Sequence, residues 1–147
     1  MIKVIIADDQ LLLTESFKSI IERDPDITVM GCADNGLEAF KLCEKSLPDL
    51  VLMDIKMPEY NGIEGTRMIK EKYPQVKVLI LTTFEDDQNM YEALKKGADG
   101  YILKEITPEE LIQAIKNTVK GFGIFSKPHL ALLQSSSALA VKNMVLQ

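Results

Sequence analysis

Three carboxylates, a hydroxyl and a lysine sit where they could share one piece of chemistry. Asp8 and Asp9 follow the apolar run IKVIIA (2–7), and Asp54 follows LVLM (50–53). Thr82 and Thr83 follow VKVLIL (76–81), and Lys104 follows GYIL (100–103). Acids crowded together raise one another's pKa and oppose ionisation. A hard divalent cation with oxygen ligands removes that conflict, and Mg²⁺ suits a site with few protein ligands and several waters. Such an ion would neutralise an incoming phosphoryl oxygen and help Asp54 attack phosphorus. Lys104 would bring a point charge to the phosphoryl group, and Thr82 a hydroxyl hydrogen bond. The chain has no GxxxxGK[ST] loop, so a nucleotide is not expected as the phosphoryl donor.

Taken singly, each residue has a plainer reading. Asp8 and Asp9 would cap a helix starting near Gln10, Thr82 would be an ordinary strand-end residue, and Lys104 a solvated loop lysine. What separates the set from accident is that its members stand at equivalent places in a repeating pattern. Five strand-like runs, 2–7, ITVMGCA (27–33), 50–53, 76–81 and 100–103, alternate with helical patterns. Leu13, Phe17, Ile20 and Ile21 recur at helical spacing after the first run. Gly36 to Ser46 and Gly62 to Tyr73 give two more helices, each with a proline just beyond, Pro48 and Pro74. A fourth runs from Asp86 to Lys96 and stops at Gly97. In the fifth, Thr107 fits the N-cap and Pro108 the first helical position, with Leu111, Ile112, Ile115 and Val119 facing inward. Repeated βα units with short loops predict an α/β fold: a doubly wound, five-stranded parallel sheet of order 2-1-3-4-5 with helices on both faces. Ligands of such sheets bind outside the carboxyl ends of the strands, where the acids stand.

Composition narrows the class. At 147 residues, 46% of them apolar, the chain suits one compact domain with some extra length. No apolar run approaches the roughly 20 residues of a membrane span, and MIKVIIADD lacks the features of a signal peptide. Cys32 and Cys43 show no metal-ligand spacing and read as reduced, half-buried packing thiols of a cytoplasmic protein. A net charge of −5 argues against gripping nucleic acid unaided. The boundary falls near residue 124: residues 1–124 form one domain, and 125–147 give a short helix from Lys127 and a linker at Ser135 to Ser137. That ending suggests a natural protein that continues.

IIADDQ, LMDIKMPEYNG, LILTTFEDD and KKGADGYILKEITPEEL together resemble the receiver domain of two-component response regulators, from residue 2 to about 124. LTTF and KEITPEEL are most similar to the NarL/LuxR subfamily. The resemblance implies that Asp54 accepts a phosphoryl group from a phosphohistidine of a sensor histidine kinase. It implies that Asp9, Asp54 and the backbone carbonyl of Lys56 hold Mg²⁺, with Asp8 acting through water. Thr82 and Tyr101 would be the switch pair, and Pro58 and Gly62 would shape the loop after Asp54. Read structurally, Tyr101 would be only a half-buried aromatic on an edge strand. Output would be transcription through a C-terminal helix-turn-helix domain absent from this chain, with DNA bound only there and self-association possible on phosphorylation. Leu11 and Leu12, off the inward stripe of the first helix, fit a dimer face weakly. A stand-alone receiver acting by protein binding is the alternative, followed by a Mg²⁺-dependent aspartyl-phosphate phosphatase, whose nucleophile would usually follow the first strand in a D-x-D pattern.

Two departures from the family pattern matter. Glu105 follows Lys104 where many receivers have a cis proline, which fits the NarL/LuxR subfamily and removes the basis for a cis bond. Thr83 stands where smaller residues are frequent. With Lys56 and Phe84 it would flank the path of a hydrolytic water, predicting slow self-dephosphorylation.

Overall fold

The computed structural model describes residues 1–83 and 87–125. The elements alternate as the sequence predicts: β1 (Ile2–Ala7), α1 (Leu11–Ile21), β2 (Ile27–Ala33), α2 (Gly36–Lys45), β3 (Leu50–Met53), α3 (Gly62–Lys72), β4 (Lys77–Thr82), α4 (Asp87–Lys95), β5 (Gly100–Leu103) and α5 (Pro108–Val119). Every described strand pairing is parallel, and the order 2-1-3-4-5 is as expected. A two-residue strand, β6 (Ile124–Phe125), adds itself beside β5 and makes the sheet six-stranded. Two residues carry no periodicity, which is why the sequence gives no sign of it. The helix expected from Lys127 and the linker at 135–137 lie outside the described residues.

Period-two side-chain alternation divides the sheet into two faces. Val4, Ile6, Leu50, Leu52, Leu79, Leu81 and Ile102 pack with Phe17 and Ile21 of α1 and Leu111, Ala114 and Ile115 of α5. Ile5, Ala7, Val51, Met53, Val78, Ile80 and Tyr101 pack on the other face with α2, α3 and α4, through residues such as Ala39, Ile69 and Met90. Both faces are covered, so the strands read as nearly continuous apolar runs. At about 25 cal/mol per Å² of apolar surface, this double burial is what lets the sheet tolerate charge at its rim.

Details differ at the edges. β4 is shifted by one residue from the expected run, so Thr82 is its last member. The β1–β2 register slips between Val4 and Ile5, because Met30 is an extra residue in the edge strand, a bulge. Neither cysteine is half-buried as expected: Cys43 packs into the core from α2, and Cys32, two residues past the bulge on the edge strand, is exposed. At α5, Thr107 and Glu110 form a full capping box with Pro108 behind the cap.

Candidate functional site

Asp8, Asp54 and Lys104 are each the first residue beyond a strand, and their backbones still belong to the ladder. The Asp8 N–H donates to the Ala33 carbonyl (3.0 Å), that of Asp54 to Ala7 (2.9 Å), and that of Lys104 to Thr82 (2.8 Å). The sheet therefore fixes where these side chains start, and its apolar strands end where solvent begins.

The side chains converge. Carboxylate oxygens of Asp8, Asp9 and Asp54 all lie within 4.8 Å of one another. Asp8 and Asp54 are buried, whereas Asp9 is exposed. Lys104 Nζ lies 2.6 Å from Asp8 Oδ2 and 3.5 Å from Asp54 Oδ2, with only 10% of the lysine side chain exposed. The other Asp8 oxygen accepts from the Gln10 N–H (2.9 Å), so Asp8 serves the start of α1 as well as the cluster. Gln10 itself occupies the N-cap without a side-chain cap bond. Thr14 of α1 donates to the Asp8 carbonyl (3.3 Å) and fastens the helix to the site.

Electrostatics leaves one acid in conflict. Burial pushes the Asp54 carboxyl up from its usual range; the nearby Lys104 charge opposes this, and the Asp8 charge adds to it. One ammonium faces two buried carboxylates and a third at the rim. A hard cation among those oxygens would balance the excess, and the donor set fits Mg²⁺: carboxylate oxygens, one open side and no sulfur or imidazole. Asp9, as the exposed member, leaves that side open to solvent.

The remaining expected residues are placed as follows. Thr82 is buried at the end of β4, beside the Leu103 register position. Tyr101 is fully buried on β5, a strand flanked on both sides, and so is not a half-buried edge aromatic. Lys56 and Thr83 are exposed, while Phe84 lies outside the described residues. Every described peptide bond is trans, Lys104–Glu105 among them. Pro58 is exposed in the loop after Asp54, and Gly62 ends that loop with its N–H on the Ile55 carbonyl (2.8 Å). A Cβ on Gly62 would collide with the Asp54 carbonyl oxygen, so only glycine lets α3 start this close to the Asp54 backbone. Leu11 and Leu12 are 70% and 79% exposed. Leu11 borders a groove of about 360 Å³ that runs from Asp8 and Asp9 past Cys32 to Asp34 and Glu38.

Sequence reasoning missed three residues of this neighbourhood. Glu59 holds φ at 67°, and the Tyr60 N–H donates across it to the Pro58 carbonyl (2.8 Å), the pattern of a strained γ-turn. Gly36 and Gly65 bring the starts of α2 and α3 into backbone contact. A signal for the helix starts was available. Asn-Gly-x-Glu occurs at 35–38 and at 61–64, and in both the asparagine side chain accepts from the N–H of the glutamate three residues on (2.9 Å each).

Comparison with known proteins bears on the fold and the family. The family model described as the response regulator receiver domain matches residues 4–116. The transcriptional regulatory protein LnrK of Bacillus subtilis is 44% identical over 130 residues, covering 88% of this chain and 59% of that protein. The transcriptional regulatory protein DegU of Brevibacillus brevis is 42% identical over 120 residues, covering 82% and 51%. The chain thus spans between half and two thirds of the length of these curated relatives. Among solved structures, a LuxR-family two-component response regulator from Aurantimonas sp. SI85-9A1 superposes with a TM-score of 0.83 at 32% identity, covering 90% of this chain and 94% of that one.

Proposed function

Given that the chain belongs to the response regulator receiver domain family, in its NarL/LuxR branch, we propose that Asp54 is its phosphoryl acceptor and a sensor histidine kinase its donor. Receiver domains are signalling domains that generally bind Mg²⁺, and Asp8, Asp9 and Asp54 form an acidic cluster suited to it. The observation that carries the reading is the imbalance at the strand ends: three acids within 4.8 Å, one of them buried with a raised pKa, and one lysine between two of them.

In the proposed step an Asp54 carboxylate oxygen attacks phosphorus of a phosphohistidine. The new P–O bond forms as the P–N bond breaks, and the departing imidazole takes up a proton from solvent. When bound, Mg²⁺ would supply charge neutralisation for the phosphoryl oxygens, held by Asp9, Asp54 and the Lys56 carbonyl, with Asp8 acting through water. Lys104, already shared by Asp8 and Asp54, would turn toward the arriving phosphoryl group. Thr82, at the end of β4, would give it a hydroxyl hydrogen bond, and Tyr101 would follow that movement as the second half of the switch. Pro58 and Gly62 hold the intervening loop in shape. Thr83 and Lys56 would obstruct in-line attack by water, giving slow loss of the label.

The receiver would occupy residues 1–124, and 125–147 would lead toward a C-terminal DNA-binding output domain, as the greater length of the transcriptional relatives supports. Among the described residues no helix is long and apolar enough to cross a membrane. The test is incubation with a small phosphodonor and Mg²⁺, followed by intact mass. Wild type should gain about 80 Da, one phosphoryl group, and Asp54→Ala should gain nothing. Equal labelling of both proteins, or of neither, would overturn the proposal.

A further inference from the structure

We propose that the start of α2 positions the loop after Asp54, with Gly36 as the positioning residue that joins helix to loop. The inference rests on the functional reading above, because that loop carries the Lys56 carbonyl assigned to Mg²⁺.

The first N–H groups of a helix have no acceptor within it. At α2 the Asn35 side chain takes the Glu38 N–H, and the N–H of Gly36, the first helical residue, donates to the Tyr60 carbonyl at 2.7 Å. Tyr60 directly follows Glu59, whose left-handed backbone is strained for a residue with a side chain and persists only where the surroundings over-determine it. Two further backbone bonds of this segment are local: Tyr60 N–H to Pro58 and Gly62 N–H to Ile55, both 2.8 Å. The bond from Gly36 reaches the strained turn from a separate helix.

Only glycine permits that approach. A Cβ on Gly36 would stand 2.5 Å from the Asn61 carbonyl oxygen and 2.9 Å from the backbone of Gly65. A Cβ on Gly65 would stand 2.7 Å from Gly36 Cα and 3.0 Å from Met53 Cε, the residue before Asp54. The obstacles are mostly backbone atoms, which cannot swing aside as a side chain end can. Helix α2 is meanwhile held against α3 at its other end, by Lys72–Glu44 (2.7 Å) and by the Phe40 and Tyr73 rings at 6.1 Å. The helix pair thus grips the loop at one end and is fastened at the other.

Gly36→Ala and Gly65→Ala test this in the full chain, with Mg²⁺ affinity by calorimetry and thermal unfolding measured side by side. Ile115→Val, in the core on the opposite face of the sheet, is the control for stability loss alone. The glycine variants should lose about tenfold in Mg²⁺ affinity, the lower end of what outer partners of a metal site contribute, while the control keeps wild-type affinity despite a lower Tm. In the wild type, Mg²⁺ should slow hydrogen exchange of the Gly36 amide. Folded glycine variants with wild-type Mg²⁺ affinity overturn the proposal. If neither variant folds, a Gly36 amide indifferent to Mg²⁺ overturns it and a slowed one supports it. Wild type that takes up no Mg²⁺ sinks both readings, and that is seen before any substitution is made.

Discussion

Two lysine–aspartate clusters occupy opposite ends of the same sheet and are made of the same residue types. At the amino end of the strands, Lys70 Nζ meets the Pro74 and Val76 carbonyls and Asp99 Oδ2, each at 3.0 Å. Asp99 Oδ2 also accepts from the Val78 N–H at 2.8 Å. One cation meets one anion, and each ammonium hydrogen has an acceptor. At the carboxyl end, Lys104 meets two buried acids, with a third close by. The first cluster is complete, whereas the second has negative charge left over. A half-buried Lys–Asp contact therefore does not mark a site by itself; the uncompensated remainder does, because it has affinity for something the chain does not supply.

The sharpest way to break this contrast is to remove each lysine. Lys104→Met should slow phosphoryl labelling by about 100-fold, the usual loss when a preorganised electrostatic partner of the reacting group is deleted. Lys70→Met should leave the labelling rate within about twofold and act on stability alone, since removing one partner of a buried pair mainly costs folding energy. Labelling time courses by intact mass separate them, and equal slowing of both would dissolve the distinction between the two ends.

Removing an acid should give the opposite ranking in stability. Asp99→Ala leaves the Lys70 ammonium and the Val78 N–H each short of an acceptor. We expect a loss of about 2–3 kcal/mol by urea unfolding, below the full buried-pair value because both side chains are partly exposed. Asp54→Ala leaves Lys104 still paired with Asp8 at 2.6 Å and should cost far less. If Asp54→Ala proved the more destabilising, Asp54 would be a structural anchor and not a charge held in reserve.

These two ends were unequally legible in the sequence. Asp8, Asp54 and Lys104 could be placed because each follows an apolar run, and parallel sheets align the ends of such runs. Thr107 and Pro108 declared the start of α5 through local chemistry alone. The Lys70–Asp99 pair joins residues 29 apart in the chain, with no pattern between them. The Gly36–Gly65 approach is likewise a property of two helices packed together, and neither helix shows it singly. Cys32 is exposed although Ile27 and Ala33 of the same edge strand are buried, because side-chain cover there depends on how far the flanking helices reach, which no local pattern states. Local signals were readable; juxtapositions had to be seen.

A smaller effect with a definite sign comes from pH. The Asp54 carboxyl is pushed up by burial and by Asp8, so without metal the folded state is penalised once Asp54 ionises. Its contribution is most favourable below the ordinary value of 3.8 and is lost as pH rises through the raised folded value. Asp54→Asn should therefore raise Tm at neutral pH, with the gain fading as the pH falls toward 3.8. Mg²⁺ should reverse the order, since it would stabilise wild type by about 2.7 kcal/mol at 100 times its dissociation constant. Asp24, at the amino end, is the counterpart. Its hydrogen bond with Lys116 pulls its carboxyl below the ordinary range, so Asp24→Asn should lower Tm at neutral pH, and that loss should vanish in acid. Thermal melts across pH check both signs, and matching signs would refute the comparison.

The smallest expected effect tests whether strain, like charge, is kept at the carboxyl end. At the other end the positive-φ positions are already glycine: Gly97, which stops α4 at φ 107°, and Gly121 just past α5 at φ 98°. On the site loop the corresponding conformation falls to Glu59 at φ 67°. Glu59→Gly should stabilise the apo protein by up to about 1 kcal/mol, strain relief being partly offset by greater freedom in the unfolded chain. Gly97→Ala should destabilise by at least about 1 kcal/mol, because its Cβ would meet Lys70 Cγ at 3.1 Å in a conformation that alanine resists. Urea midpoints measure both. If Glu59→Gly gained nothing, the turn would be relaxed as it stands, and the Gly36 bond would be holding a loop already content in its place.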